Sequence, residues 1–134
     1  MREINSIYII DDDPITVFGI RKMLDNKVPF KTISTFVNGK LAIDGIKKTL
    51  KAHKAIPEVI FLDINMPIMD GWQFLEEFIE LPIKNKVRIN IVTSSIDPAD
   101  YENWEFFNNK SHHLITFNTK PIRVAKIADI TKPA

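Results

Sequence analysis

Acidic side chains directly follow two of the most apolar segments of this 134-residue chain. Ile7–Ile10 leads into the triplet Asp11–Asp13, and Val59–Leu62 leads into Asp63. Carboxylates that are brought together repel one another, so some must hold protons unless a cation neutralises them. Mg²⁺ suits such a group, because it takes oxygen ligands, commonly one or two carboxylates with water and phosphate. A carboxylate there can also act as a nucleophile and form an aspartyl phosphate.

Two further segments end in groups that could bind an anion. Thr93 follows Val87–Val92, and Lys120 comes shortly after Leu114–Phe117. A hydroxyl and an ammonium would supply hydrogen-bond donors to phosphoryl oxygens beside the carboxylates. Each group also has a plain alternative: the aspartates and the threonine as turn or helix-cap residues, and the lysine as an ordinary surface residue. Their joint occurrence at the ends of apolar segments favours one shared site.

The segments that must position these groups alternate between strands and helices. Short runs that are apolar throughout fit parallel strands that are covered on both faces. Two such runs, Ile7–Ile10 and Val59–Leu62, are predicted as strands, and further strands are predicted at Phe30–Phe36, Val87–Val92 and Leu114–Phe117. Helical spacing follows each of them, and Pro14, Asp70-Gly71 and Asp97-Pro98 mark helix starts.

This order predicts an α/β fold with a doubly wound parallel sheet and right-handed crossovers, although it does not fix the order of the strands. Ligands of such sheets bind beyond the carboxyl ends of the strands. All of the polar groups described above fall at that edge, which is why they are expected to share a pocket.

The composition is typical of one globular domain and excludes several kinds of site. Hydrophobic residues make up 45% of the chain and charged residues 26%. The absence of cysteine excludes disulfides and thiolate sites. A formal net charge of +1 with scattered lysines argues against nucleic-acid binding. No apolar run approaches a membrane span, and the N-terminus lacks the pattern of a signal peptide. We therefore expect a cytoplasmic protein with no nucleic-acid or membrane partner.

The sequence resembles the receiver domains of two-component response regulators. The resemblance is carried by Ile9–Pro14, Phe61–Gly71, Val92–Ser94 and Lys120-Pro121, and it covers nearly the whole chain. It implies a flavodoxin-like (βα)5 fold, with five parallel strands and helices on both faces of the sheet. It also implies a single receiver domain over residues 1–134, with no output domain.

The resemblance assigns roles to the polar groups. Asp63 would be the phosphoacceptor, and it would bind Mg²⁺ together with Asp11, Asp12 and the backbone carbonyl of Asn65. Lys120 would pair with a phosphoryl oxygen. Mg²⁺ is the only cofactor that the resemblance implies.

The resemblance also implies a conformational switch formed by Thr93 and Phe117. Thr93 would bond a phosphoryl oxygen, and Phe117 would turn inward as Thr93 moves. The charge added by phosphorylation would thereby shift the equilibrium between two arrangements of Thr93 and Phe117. A plain core position for Phe117 is equally consistent with the sequence.

These residues together indicate a phosphorylation-dependent signalling switch rather than an enzyme acting on a separate substrate. The phosphoryl group would come from a sensor histidine kinase or a histidine phosphotransfer protein, and the output would be altered binding to an unidentified protein target. A phosphatase with an aspartyl nucleophile is an alternative, but such enzymes commonly carry a second aspartate where this chain has Asn65. A scaffold that binds its partner equally in both forms is a further alternative.

Three smaller features complete the expectations. The segment between Thr93 and Phe117 is longer than is usual for receiver domains, and the final helix, from Ile122 to about residue 130, is short. His112 and His113 are predicted in a loop, where a metal or phosphohistidine role is a minor alternative. The two tryptophans are expected in the core or at its rim.

Overall fold

A single parallel sheet forms the centre of the computed structural model, which describes residues 2–134. Its strands are β1 (Ile4–Ile10), β2 (Phe30–Phe36), β3 (Val59–Leu62), β4 (Arg88–Thr93) and β5 (Leu114–Thr119). They lie in the order β2-β1-β3-β4-β5, and every neighbouring pair is parallel. This is the flavodoxin-like order, so the predicted fold is confirmed.

Five helices connect or follow the strands. They are α1 (Pro14–Lys27), α2 (Gly39–Lys51), α3 (Gly71–Phe78), α4 (Pro98–Lys110) and α5 (Val124–Ile127), and a 3₁₀ turn follows at Asp129–Thr131. The predicted helix starts are confirmed, because Asp70 and Asp97 cap α3 and α4 with their side chains and Pro14 opens α1. Within residues 2–134, no helix has the length and apolar character that crossing a bilayer requires.

The helices cover both faces of the sheet, as predicted. Successive strand side chains point to opposite faces. Accordingly, Ile9 packs in a core with α1 and α5, whereas Ile10 packs in a second core with α2, α3 and α4. Both isoleucines are fully buried. The apolar strands predicted from the sequence therefore have one core on each side.

Several strand bounds differ from the sequence prediction. β1 begins at Ile4 rather than at residue 7, because its polar outer half still pairs with β2. β4 excludes Val87, whose N–H donates to Nδ1 of His113 at 3.0 Å instead of joining a ladder. β5 continues to Thr119, which pairs with Thr93. Apolar content alone does not reveal these polar strand ends.

The final helix is short, as predicted, but it is also divided. Only Val124–Ile127 is α-helical, and the 3₁₀ turn takes the next part of the predicted range. The fully buried Asn90 on β4 holds this segment to the sheet. Its Nδ2 donates to the carbonyl of Ile130 at 2.7 Å, and its Oδ1 accepts the Thr116 hydroxyl at 2.8 Å. These side-chain hydrogen bonds thereby stabilise the C-terminal segment, which contains little helix.

Candidate functional site

The order of the strands brings Asp11 and Asp63 together. β1 and β3 are neighbours, and Ile10 pairs with Leu62 at the ends of the two strands. The N–H of Asp63 donates to the carbonyl of Ile10 at 2.9 Å, so the two aspartates begin adjacent loops. The chain leaves β1 toward β2 on one side and leaves β3 toward β4 on the other, and such switch points are where doubly wound sheets bind ligands.

Three carboxylates form an acidic cluster at this edge of the sheet. Asp11, Asp12 and Asp63 each offer one oxygen, and these atoms all lie within 4.8 Å of one another. Asp11 is 4% exposed and Asp63 is 5% exposed, whereas Asp12 faces solvent. Asp13 is engaged elsewhere, since its side chain caps α1 by accepting the N–H of Ile15.

Lys120 supplies the cation nearest to this cluster. Its Nζ lies 3.0 Å from Oδ2 of Asp11 and 3.8 Å from Oδ2 of Asp63. Its backbone N–H donates to the carbonyl of Thr93 at 2.9 Å, which fixes the loop after β5 to the end of β4. One ammonium thus faces three carboxylates, and the pocket keeps an excess of negative charge.

The pKa of Asp63 reflects this excess. The pKa of Asp63 is raised to about 6, chiefly by burial and then by the neighbouring charge of Asp11, while Lys120 acts in the opposite direction. The cluster offers only hard oxygen donors, and these are the ligands that Mg²⁺ prefers. The acidic pocket therefore fits a hard divalent cation, which Asp11, Asp12 and Asp63 would hold.

The loop after β3 is packed closely against Asp63. At Gly71, a Cβ atom would lie 2.5 Å from the carbonyl oxygen of Asp63 and 2.7 Å from Cα of Ile64, so no side chain fits there. The preceding Asp70 forms a capping box with Gln73, which anchors the loop to the first turn of α3. The N–H of Asn65 lies 3.4 Å from Oδ1 of Asp63. The role of its carbonyl as a metal ligand stays a prediction.

The residues predicted to form the switch lie on β4 and β5. Thr93 is fully buried at the carboxyl end of β4, and its hydroxyl oxygen accepts the N–H of Ser95 at 3.1 Å. Phe117 is half-buried in the middle of β5. Its ring centroid lies 5.9 Å from that of Tyr101 and 6.3 Å from that of Trp104, both on α4.

Sequence reasoning missed two features. Trp72, correctly expected at the rim of the core, donates its indole N–H to Oδ1 of Asp100 at 3.1 Å, across 28 positions of sequence. His113 lies in a loop, as predicted, but it is 3% exposed and binds the backbone of Val87. No local signal distinguishes a buried loop histidine from its exposed neighbour His112.

Comparison with known proteins agrees with this architecture. The family model of the response regulator receiver domain matches residues 7–131. The chain belongs to this family, and it is thus a receiver domain of two-component signalling. The fold and the acidic pocket at the switch point are those that the resemblance implies.

Similar proteins include both solved structures and curated sequences. The structure of a two-component response regulator from Cytophaga hutchinsonii is 28% identical, with a TM-score of 0.81 over 96% of this chain and 95% of that chain. The CheX-CheY-BeF3-Mg²⁺ complex from Borrelia burgdorferi contains a chain with the same fold, at 22% identity and a TM-score of 0.73, over 93% of this chain and 84% of that chain.

A protein-glutamate methylesterase/protein-glutamine glutaminase of Methanospirillum hungatei is 28% identical over 115 residues, which are 86% of this chain and 30% of that protein. This chain spans between 16% and 30% of the length of three such curated relatives. The likeness therefore concerns only a part of those larger proteins.

Proposed function

We propose that this chain is a phosphorylation-dependent switch that accepts a phosphoryl group on Asp63. The observation that carries the proposal is the position of this carboxylate, which is buried beside a second buried carboxylate and an ammonium at the switch point of the sheet. An anionic nucleophile beside a site for a divalent cation is the arrangement that phosphoryl transfer requires.

In the proposed reaction, a carboxylate oxygen of Asp63 attacks the phosphorus of a phosphohistidine. The bond between phosphorus and the histidine nitrogen breaks, and the nitrogen leaves with the electron pair. Lys120, which already lies 3.8 Å from Oδ2 of Asp63, would pair with a phosphoryl oxygen. When bound by Asp11, Asp12, Asp63 and the backbone carbonyl of Asn65, Mg²⁺ would neutralise part of the phosphoryl charge.

The response to phosphorylation would involve Thr93 and Phe117. Thr93 ends the strand next to β3; its hydroxyl oxygen accepts the N–H of Ser95, and its hydroxyl hydrogen would donate to a phosphoryl oxygen. Phe117 is only half-buried beside Tyr101 and Trp104, so a change in its burial would alter the surface formed by α4 and β5. We propose that this change alters binding to another protein.

The proposed phosphodonor is a sensor histidine kinase or a histidine phosphotransfer protein. Such a partner must bring its phosphohistidine to the acidic cluster, so it must contact the neighbouring surface. Ile15 and Phe18 on α1 are 80% and 67% exposed. Ile15 lines a groove that Lys120 and Pro121 also line. Exposed apolar side chains beside a reactive pocket suit a protein donor.

Intact mass after incubation with acetyl phosphate and Mg²⁺ tests the assignment. We expect one added phosphoryl group on the wild-type chain and none on Asp63→Asn. Asp70→Asn is the matched control, because it removes a carboxylate from the same loop while asparagine still caps α3. It should be labelled like the wild type.

Labelling of Asp63→Asn would exclude Asp63 as the acceptor. If the wild type carries no adduct, titration with beryllofluoride, which mimics a phosphoryl group, decides between two explanations. Amide shifts around Asp63 would indicate a short-lived phosphoryl group, and no shifts would contradict the proposed switch.

A further inference from the structure

Asp100, in the first turn of α4, joins two separate parts of the fold. Its Oδ1 accepts the indole N–H of Trp72, on α3, at 3.1 Å. Its Oδ2 accepts the hydroxyl of Ser95, in the loop after β4. One half-buried carboxylate thus connects α3, α4 and the carboxyl end of β4.

The connection continues from Ser95 to Thr93. The N–H of Ser95 donates to the hydroxyl oxygen of Thr93 at 3.1 Å. This bond occupies a lone pair of the hydroxyl and thereby restricts the directions in which its hydrogen can point. Ser95 is held from the other side as well, because its Oγ accepts the N–H of Asp97 at 3.2 Å. The orientation of the Thr93 hydroxyl therefore depends on where Ser95 is held.

Asp100 is not needed to begin α4. Asp97 already caps this helix, since its Oδ1 accepts the N–H of Ala99 at 3.0 Å, and Pro98 needs no partner for its nitrogen. A negative charge in the first turn is favourable to a helix, but that effect does not require the two side-chain donors. Hydrogen bonds to a charged acceptor are stronger than neutral ones, so both contacts of Asp100 restrain their donors.

The indole of Trp72 is restrained on its face as well as at its edge. Its ring is nearly parallel to that of the buried Phe107, with an interplanar angle of 6° and centroids 5.8 Å apart. A movement of Asp100 would therefore change the indole hydrogen bond before it changed the position of the ring. The chemical shift of the indole N–H is therefore sensitive to the position of the Asp100 carboxylate.

We propose that Asp100 is a positioning residue of the switch, which fixes Ser95 and through it the hydroxyl of Thr93, and which transmits a displacement at Thr93 to Trp72 on α3. The inference rests on the proposed function for the role of Thr93. The link from Ser95 through Asp100 to Trp72 can be tested without phosphorylation.

The first experiment measures the two tryptophan indole resonances in ¹H–¹⁵N spectra of the full chain, with Trp72→Phe to assign them. We expect Ser95→Ala to shift the Trp72 resonance, although the two residues are connected only through Asp100 among the described hydrogen bonds. In an Asp100→Ala background, Ser95→Ala should cause no further shift. The indole of Trp104 donates to the carbonyl of Ile115 and serves as an internal control that should not move.

An unchanged Trp72 resonance in Ser95→Ala, with aspartate retained at position 100, would overturn the proposal. The proposal would also be overturned if Ser95→Ala shifted the Trp72 resonance by the same amount in the Asp100→Ala background as in the wild type. Glu102→Gln removes an exposed charge from the same helix and should leave the effect of Ser95→Ala intact.

The second experiment adds beryllofluoride and Mg²⁺. In the wild type, amides around Asp63 and the Trp72 indole should both shift, whereas Asp100→Ala should retain the amide shifts and lose the indole shift. An indole response of equal size in Asp100→Ala would refute a role in transmission. If no amide near Asp63 shifts in the wild type, the proposed function is wrong. The first experiment still tests the connection from Ser95 through Asp100 to Trp72, because it does not depend on phosphorylation.

Discussion

The Nζ atom of Lys120 lies 3.0 Å from Oδ2 of Asp11. The side chain of Asp11 is 3% exposed and that of Lys120 is 19% exposed, so this ion pair is largely removed from water. The other oxygen of the carboxylate, Oδ1, accepts the N–H of Asp13 at 2.8 Å. Lys120 is therefore part of the electrostatic balance of the folded pocket, in addition to its proposed role toward a phosphoryl group.

We predict that Lys120→Ala lowers the free energy of unfolding at pH 7 by about 3 kcal/mol, because it leaves the buried charge of Asp11 without its partner. Urea denaturation in the presence of a chelator measures the loss. Lys132→Ala is the control, since Lys132 pairs with Asp129 in solvent, with exposures of 66% and 70%. That variant should change stability by less than about 0.5 kcal/mol. Equal losses in the two variants would contradict the importance of the buried pair.

Mg²⁺ should stabilise the chain through the acidic cluster. A ligand that binds only the folded state at ten times its Kd contributes about 1.4 kcal/mol. We expect Mg²⁺ to raise the Tm of the wild type, and Asp12→Asn to weaken this response without a packing defect, because Asp12 is exposed. Asp13→Asn should keep the response, since asparagine can still cap α1. A full response in Asp12→Asn would exclude its carboxylate as a ligand.

His113 should make stability depend on pH. Burial, assisted by the neighbouring charge of His112, lowers its pKa from 6.5 to about 4. Between these values His113 holds a proton in the unfolded chain but not in the folded chain, so its contribution to stability is complete above pH 6.5 and is lost as the pH falls toward 4. The contribution is about 3 kcal/mol at most.

Chemical denaturation at a series of pH values tests this expectation. His113→Asn keeps an acceptor for the N–H of Val87 and should remove the loss of stability that His113 causes between pH 6.5 and 4. His112→Asn removes an exposed ring and should retain most of the slope. An unchanged slope in His113→Asn would assign the acid sensitivity to other groups.

Ile68 is under backbone strain. Its φ is 70°, in the left-handed region that a β-branched residue rarely adopts, and its side chain is 80% exposed. We predict that Ile68→Gly raises the unfolding free energy by about 1 kcal/mol, because glycine adopts this conformation without the steric cost. Ile96 is 95% exposed and does not have a positive φ, so Ile96→Gly should be neutral or destabilising. A destabilised Ile68→Gly would show that its side chain makes a favourable contact.

The sequence predicts much of the fold because the central strands β1, β3 and β4 are largely buried on both faces. A run such as Val59–Leu62 is then apolar at every position, and a polar residue marks its end. Since parallel strands end at a common edge, the placement of Asp11, Asp63 and Lys120 at one edge of the sheet follows from fold class before any coordinate is known.

Other features depend on contacts that no local pattern contains. The start of β4 is displaced because Val87 bonds a side chain 26 positions away. The order of the strands, which makes Asp11 and Asp63 neighbours, cannot be predicted in this way either, because several strand orders share the same sequence pattern of alternating strands and helices. The bond from Trp72 to Asp100 joins two residues that each fit an ordinary helix position. Pairings of this kind are set by the packing of whole elements.

The absence of space at Gly71 has a genetic consequence. Every base change in a glycine codon that alters the amino acid adds a side chain, and the first atom of that side chain would meet the carbonyl oxygen of Asp63 at 2.5 Å. No single-nucleotide missense variant at this codon offers a compatible residue. In a saturation mutagenesis library, this position should therefore tolerate synonymous changes alone, although it takes no part in the chemistry.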